Sequence, residues 1–150
     1  MILLLLGACT VFQPLDGTWL FQVNPNSSLR GDCAGDDSGS AEYEVLGTSN
    51  MWVDIYTVSG DQIAILWNEP MLGTLTGSAI EASYETGYSY KKRGETKTTS
   101  LEATLSGGAM EGTVQVVQVQ SNDGDDYSCT TANDFSAVRS VSSPDSFAGN

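Results

Sequence analysis

Hydrophobic and polar residues alternate with a period of two along most of this chain. In Gly17-Thr18-Trp19-Leu20-Phe21-Gln22-Val23, Trp19, Phe21 and Val23 fall on one face and Thr18 and Gln22 on the other, as a half-buried strand requires. Trp52 to Val58 is a β-branched and aromatic segment that ends at the turn Ser59-Gly60-Asp61-Gln62, and Ile63 to Trp67 returns from it. Asn68-Glu69-Pro70 then interrupts the pattern, because proline cannot donate to a central ladder. The clearest alternation runs from Thr99 to Leu105 and turns Leu101, Ala103 and Leu105 inward. Residues 24–40, 87–98 and 121–126 are polar and read as an irregular loop, an exposed connection and an acidic loop.

One stretch occurs twice. Leu75, Gly77, Ala79 and Glu81 match Leu105, Gly107, Ala109 and Glu111, and each copy reads as a strand end, a glycine turn and a new strand. Two hairpins of one design imply an antiparallel meander. No segment has a helical period, and the count comes to about eight strands with mostly short connections. The expected fold is therefore all-β, an eight-stranded antiparallel up-and-down barrel, since closure removes the exposed edges of a meander. A two-sheet β-sandwich is the alternative that the same pattern permits. Strands of five to seven residues would reach roughly 17 to 23 Å.

The start of the chain has a different character. Residues 2–8 form an apolar run ending at Cys9, too short to cross a bilayer at ~20 residues. Leu6-Gly7-Ala8-Cys9 resembles the lipobox of bacterial lipoproteins. The resemblance implies a signal peptide over 1–8, lipidation of Cys9 and a tether over 9–16; the strand pattern then sets a barrel domain over 17–141, and the Ser-, Pro-, Gly- and Asp-containing end reads as a frayed tail over 142–150. No Lys or Arg precedes the apolar run, which leaves a start codon further upstream as an open alternative. With Cys9 assigned to the anchor, Cys33 and Cys129 remain, and an exported protein would join them in a disulfide. Two buried free thiols are the competing account.

Gly17-Thr18-Trp19 resembles the Gly-x-Trp motif on the first strand of the lipocalins and the wider calycin group. Arg139 matches the position near the last strand where that family places an arginine over the tryptophan. The resemblance implies that Gly17, Trp19 and Arg139 close the bottom of the barrel, with a cation–π contact worth ~0.5 to 2 kcal/mol. The C-terminal helix of typical lipocalins has no counterpart in the sequence.

Composition narrows the chemistry. The 150 residues include six basic and nineteen acidic side chains, for a net charge of -13, which disfavours nucleic acid and anionic membrane surfaces as partners. The chain has no histidine, so the usual neutral-pH base and commonest zinc ligand are missing. No nucleophile motif or phosphate-cradling glycine loop is present, and a non-enzymatic role without a cofactor is expected.

Three candidate sites remain. Phe21, Trp67 and Tyr84, with Trp19, would line an interior ligand pocket, or else fill the barrel. Asp123, Asp125 and Asp126 offer clustered oxygens for calcium, with Asp36 and Asp37 as further contributors, but their spacing is not that of an EF-hand. Lys91, Lys92, Arg93 and Lys97 hold four of the six basic residues and could dock on an acidic partner or anionic headgroups. The sequence thus predicts a lipoprotein of the bacterial cell envelope, or a secreted form of it, whose membrane contact is the lipid anchor and whose barrel binds a small apolar ligand. The alternative is a structural or interaction module with a filled barrel, displaying its loops to a protein partner.

Overall fold

The computed structural model describes residues 15–24, 28–31, 50–67 and 69–140. Nine strands follow one another: β1 (Gly17–Val23), β2 (Ser28–Gly31), β3 (Asn50–Ser59), β4 (Gln62–Leu66), β5 (Pro70–Thr76), β6 (Ala79–Tyr90), β7 (Arg93–Ser106), β8 (Ala109–Asn122) and β9 (Asp125–Arg139). From β3 onward each strand pairs antiparallel with the next, β3 pairs with β1, and β9 returns to β1 with Trp19 opposite Arg139 and Val23 opposite Phe135. Eight strands therefore close an up-and-down barrel, the expected fold, and closure excludes the sandwich.

Strand lengths differ from the expectation. β6 to β9 run 12 to 15 residues, and the expected connection over 87–98 and the acidic loop over 121–126 are instead strand residues around tight turns at Lys91-Lys92 and Asp123-Gly124. The expected loop over 24–40 also contains β2, which continues the line of β1 along β9, Ser28 opposite Ala132 and Gly31 opposite Cys129. The last strand, which the sequence pattern places over residues 135–141, begins ten residues earlier, at Asp125, and ends at Arg139.

Inside the ring, alternate side chains from every strand converge. Trp19, Phe21, Val53, Ile55, Ile63, Ile65, Met71, Ile80, Leu101, Met110, Val114 and Phe135 are buried in one cluster. Leu101, Ala103 and Leu105 all join it, Leu105 at its margin. Small residues let the sheet curl. A Cβ on Gly112 would lie 2.1 Å from the Glu102 carbonyl oxygen and 2.7 Å from Ala103 Cα, closer than any side chain tolerates.

The lower rim gathers three two-residue turns, Gly60-Asp61, Gly77-Ser78 and Gly107-Gly108, each opening on a glycine with φ near 60° (59°, 64° and 61°). Each rim turn accepts a backbone hydrogen bond from a neighbouring strand: Leu75 N to Asp61 O at 2.8 Å, Leu105 N to Ser78 O at 2.8 Å, and Arg139 N to Gly108 O at 3.0 Å. The repeated hairpins at Gly77 and Gly107 are thus structural parts of the rim.

Candidate functional site

The three residues Gly17, Trp19 and Arg139 meet at the lower rim. The Arg139 guanidinium packs over Gly17, where a Cβ would lie 3.2 Å from its Nε, and it donates to the Asp16 carbonyl oxygen. Gly17 has φ 137°, a conformation that side chains rarely adopt. Trp19 is 1% exposed and donates through Nε1 to the Leu15 carbonyl oxygen at 2.9 Å. Leu15 is itself buried in the core, and the Asp16 carboxylate accepts from both the backbone N and Oγ1 of Thr57 at 2.6 Å. Packing therefore starts two residues before the expected domain boundary. The chain entry and the last strand together plug this end.

The aromatic residues proposed for a pocket are in contact with one another or with the core. Phe21 stacks on Phe135 with ring centroids 4.8 Å apart and meets Trp67 edge-on at 5.2 Å. Tyr84 is half-buried against the same cluster. Phe135, turned inward by its alternation with Ala137 in the last strand, joins these rings although it was not among the candidate pocket residues. One polar atom stands out: Trp67 Nε1 is buried and has no hydrogen-bond partner among the described residues.

At the opposite rim, the carboxylates considered for calcium separate. Asp123 pairs with Lys92 at 2.5 Å, and Asp126 accepts from Ser121 Oγ at 2.6 Å. Among the described residues no three acidic, histidine or cysteine side chains form a group able to hold a metal ion. Asp36 and Asp37 lie outside the described residues, as do Cys9 and Cys33. Cys129 is buried in β9 at 1% exposure.

Three of the four clustered basic residues meet at the tip of the β6–β7 hairpin, whereas Lys97 lies further down β7 opposite Thr86. Lys91 and Lys92 form the turn, Lys91 Nζ sits 5.1 Å from the centre of the Tyr90 ring, and Arg93 opens β7 opposite Tyr90. Behind the tip, register aligns Tyr88, Glu95, Gln120 and Tyr127 in one cross-strand row, with Gln120 Nε2 donating to Glu95 Oε2 at 3.3 Å. A surface depression of about 380 Å³ is lined by Tyr88, Lys91, Lys92, Arg93 and Glu95 among others.

The outside of the barrel is two-sided. Val138, Leu20 and Trp52 share a row across β9, β1 and β3, and Tyr56, Ala64 and Leu72 share another across β3, β4 and β5. Trp52 and Leu72 are 62% and 66% exposed. β6 to β8 instead present Glu81, Glu102 and Glu111.

These features define an up-and-down β-barrel of eight strands, consistent with a lipocalin-like fold, plugged at one rim and extended at the other. No family model, no curated protein and no solved structure matches the chain.

Proposed function

We propose that this chain is an interaction module of the bacterial cell envelope, anchored through a lipid on Cys9, whose barrel is a filled scaffold for its outer surface and upper rim. The observation that carries the reading is the packing of Phe21 against Trp67 and Phe135, which sets against one another rings that would otherwise be free to line a pocket. Interiors packed by their own side chains leave small eight-stranded barrels without ligand space. The anchor rests on Leu6-Gly7-Ala8-Cys9. A Cys33–Cys129 disulfide is part of the proposal. It is supported by the disulfide-bonded state of Cys129, and by the pairing of Gly31 with Cys129, which brings the chain within two residues of Cys33.

Native mass spectrometry of protein released from cells tests the filled barrel. The bare polypeptide mass, apart from lipidation, is expected; a stoichiometric apolar adduct that survives purification would contradict it. The second reading, a carrier of a small apolar ligand, is favoured by the buried Trp67 Nε1, an indole donor to which a ligand oxygen could offer an acceptor. The anchor has its own test. Changing Cys9 to Ser should release the protein from the membrane fraction, and continued membrane retention would overturn the assignment.

A further inference from the structure

We infer that the overrunning edge of β6, Tyr84–Tyr90, is a docking strand for an extended acidic segment of a partner protein. This deepens the interaction reading above and rests on it. Three independent observations converge on that edge.

The first is an unfilled ladder. β5 pairs with β6 only over Ala79–Ser83, whereas β7 pairs with β6 along its whole length to Tyr90. Among the described residues, no strand pairs with Tyr84–Tyr90 on the side turned away from β7. Its backbone groups on that side can take up an added strand. Only one charge, Glu85, guards this edge. Tyr84, Glu85, Thr86, Gly87, Tyr88, Ser89 and Tyr90 include no proline and no lysine, and Tyr88 and Tyr90 are 63% and 68% exposed. Seven residues give an added strand about 24 Å of backbone to follow.

The second is a lysine where glycine would be cheaper. Gly60, Gly77 and Gly107 open the three lower-rim turns with φ near 60°, and Lys91 opens the β6–β7 turn with φ 57°. The left-handed conformation is natural for glycine and strained for lysine. Of the five hairpin turns among the described residues that open with φ near 60°, three hold glycine and one holds Asp123 (φ 56°), whose short polar side chain tolerates the conformation, so the strain retained at Lys91 points to a use for its side chain.

The third is charge. Lys91, Lys92 and Arg93, three of the six basic residues in a chain of net charge -13, stand at one end of the open edge, while Lys97 lies further along β7 opposite Thr86. Glu85 stands towards the other end, beside Thr98, which donates to its carboxylate at 3.2 Å. The ligand strand is therefore polarised, with carboxylates at the Lys91 end and apolar or hydroxyl side chains beside Tyr84 and Tyr88. Charge of this kind selects the partner and its direction, and the main-chain ladder holds it.

The test uses the full chain and short synthetic peptides in which Glu residues at one end adjoin a Val- and Thr-rich stretch. Controls carry Lys for Glu, or a central proline that breaks the ladder. Phosphatidylglycerol vesicles form a separate arm. The acidic peptide should bind, slow amide hydrogen exchange within Tyr84–Tyr90, and lose affinity several-fold in a Lys91→Gly, Lys92→Ala variant whose turn geometry is preserved. Equal binding by the Lys and proline peptides, or no added protection of Tyr84–Tyr90, would overturn the inference. So would binding to the vesicles with none to the acidic peptide, which would assign the basic tip to lipid headgroups. If the peptides fail while the barrel interior excludes apolar probes, only this inference falls; if such probes enter the barrel, the filled-scaffold reading itself fails.

Discussion

Lys91 is the residue whose conformation and side chain pull in opposite directions. Replacing it by glycine should raise the unfolding free energy by roughly 1 kcal/mol, because a left-handed lysine is relieved. Urea denaturation would measure this, and a destabilised variant would show that the Lys91 side chain stabilises the fold through its contact with Tyr90. Phe21 presents the converse case. Fully buried between Trp67 and Phe135, it should cost about 3 to 5 kcal/mol when changed to alanine, and a loss below ~1 kcal/mol would mean that the interior collapses readily or is loosely packed. The Lys92–Asp123 pair, with both side chains largely exposed, contributes little in comparison.

At the scale of elements, the close approach of β7 and β8 at Gly112 carries a prediction. Gly112→Val places a side chain within 3 Å of the Glu102 carbonyl and Ala103. Overpacking of this kind costs typically 1 to 3 kcal/mol, and an unchanged urea midpoint would refute the close packing. On the outer face Glu81 stands directly opposite Glu102, a like-charge pair. Glu102→Thr should therefore stabilise by a few tenths to ~1 kcal/mol, most visibly at low ionic strength.

These elements also show what was legible in the sequence. Trp19-x-Phe21-x-Val23 and Leu101-x-Ala103-x-Leu105 announced their strands because one face of each is apolar and buried. The outer halves of β6 and β7 did not, because both faces are polar or tyrosine-rich where the sheet leaves the core. The reversal at Lys91-Lys92 was hidden for a related reason: the position that takes glycine in the sister turns holds lysine, and the basic run reads as a solvated loop. The Trp19–Arg139 pairing was legible through resemblance, whereas the fate of the pocket aromatics depended on which rings meet inside a closed barrel. Alternation assigns a face, and it does not assign the neighbour across the lumen.

For the molecule as a whole, the closed ring leaves two kinds of exposed surface for contact, the apolar rows around Trp52 and Leu72 and the overrunning upper rim. The acidic surplus opposes self-association of either. A disulfide from Cys129 to Cys33 would tie the upper rim by closing a loop of about a hundred residues, worth ~4 to 5 kcal/mol in the chain-entropy model. Reduction should accordingly lower the melting temperature, and Cys33→Ser should reproduce the loss without a reductant. Coincident curves before and after reduction would remove that tie.

An interaction module of this kind requires a barrel filled by its own side chains. That filling is tested most directly by tryptophan emission in a Trp52→Phe variant, which retains only the interior indoles Trp19 and Trp67, titrated with fatty acids and other apolar probes. A filled barrel gives no saturable change in intensity or wavelength. A stoichiometric quench or shift, abolished by filling the space beside Trp67, would contradict it and make the barrel a carrier.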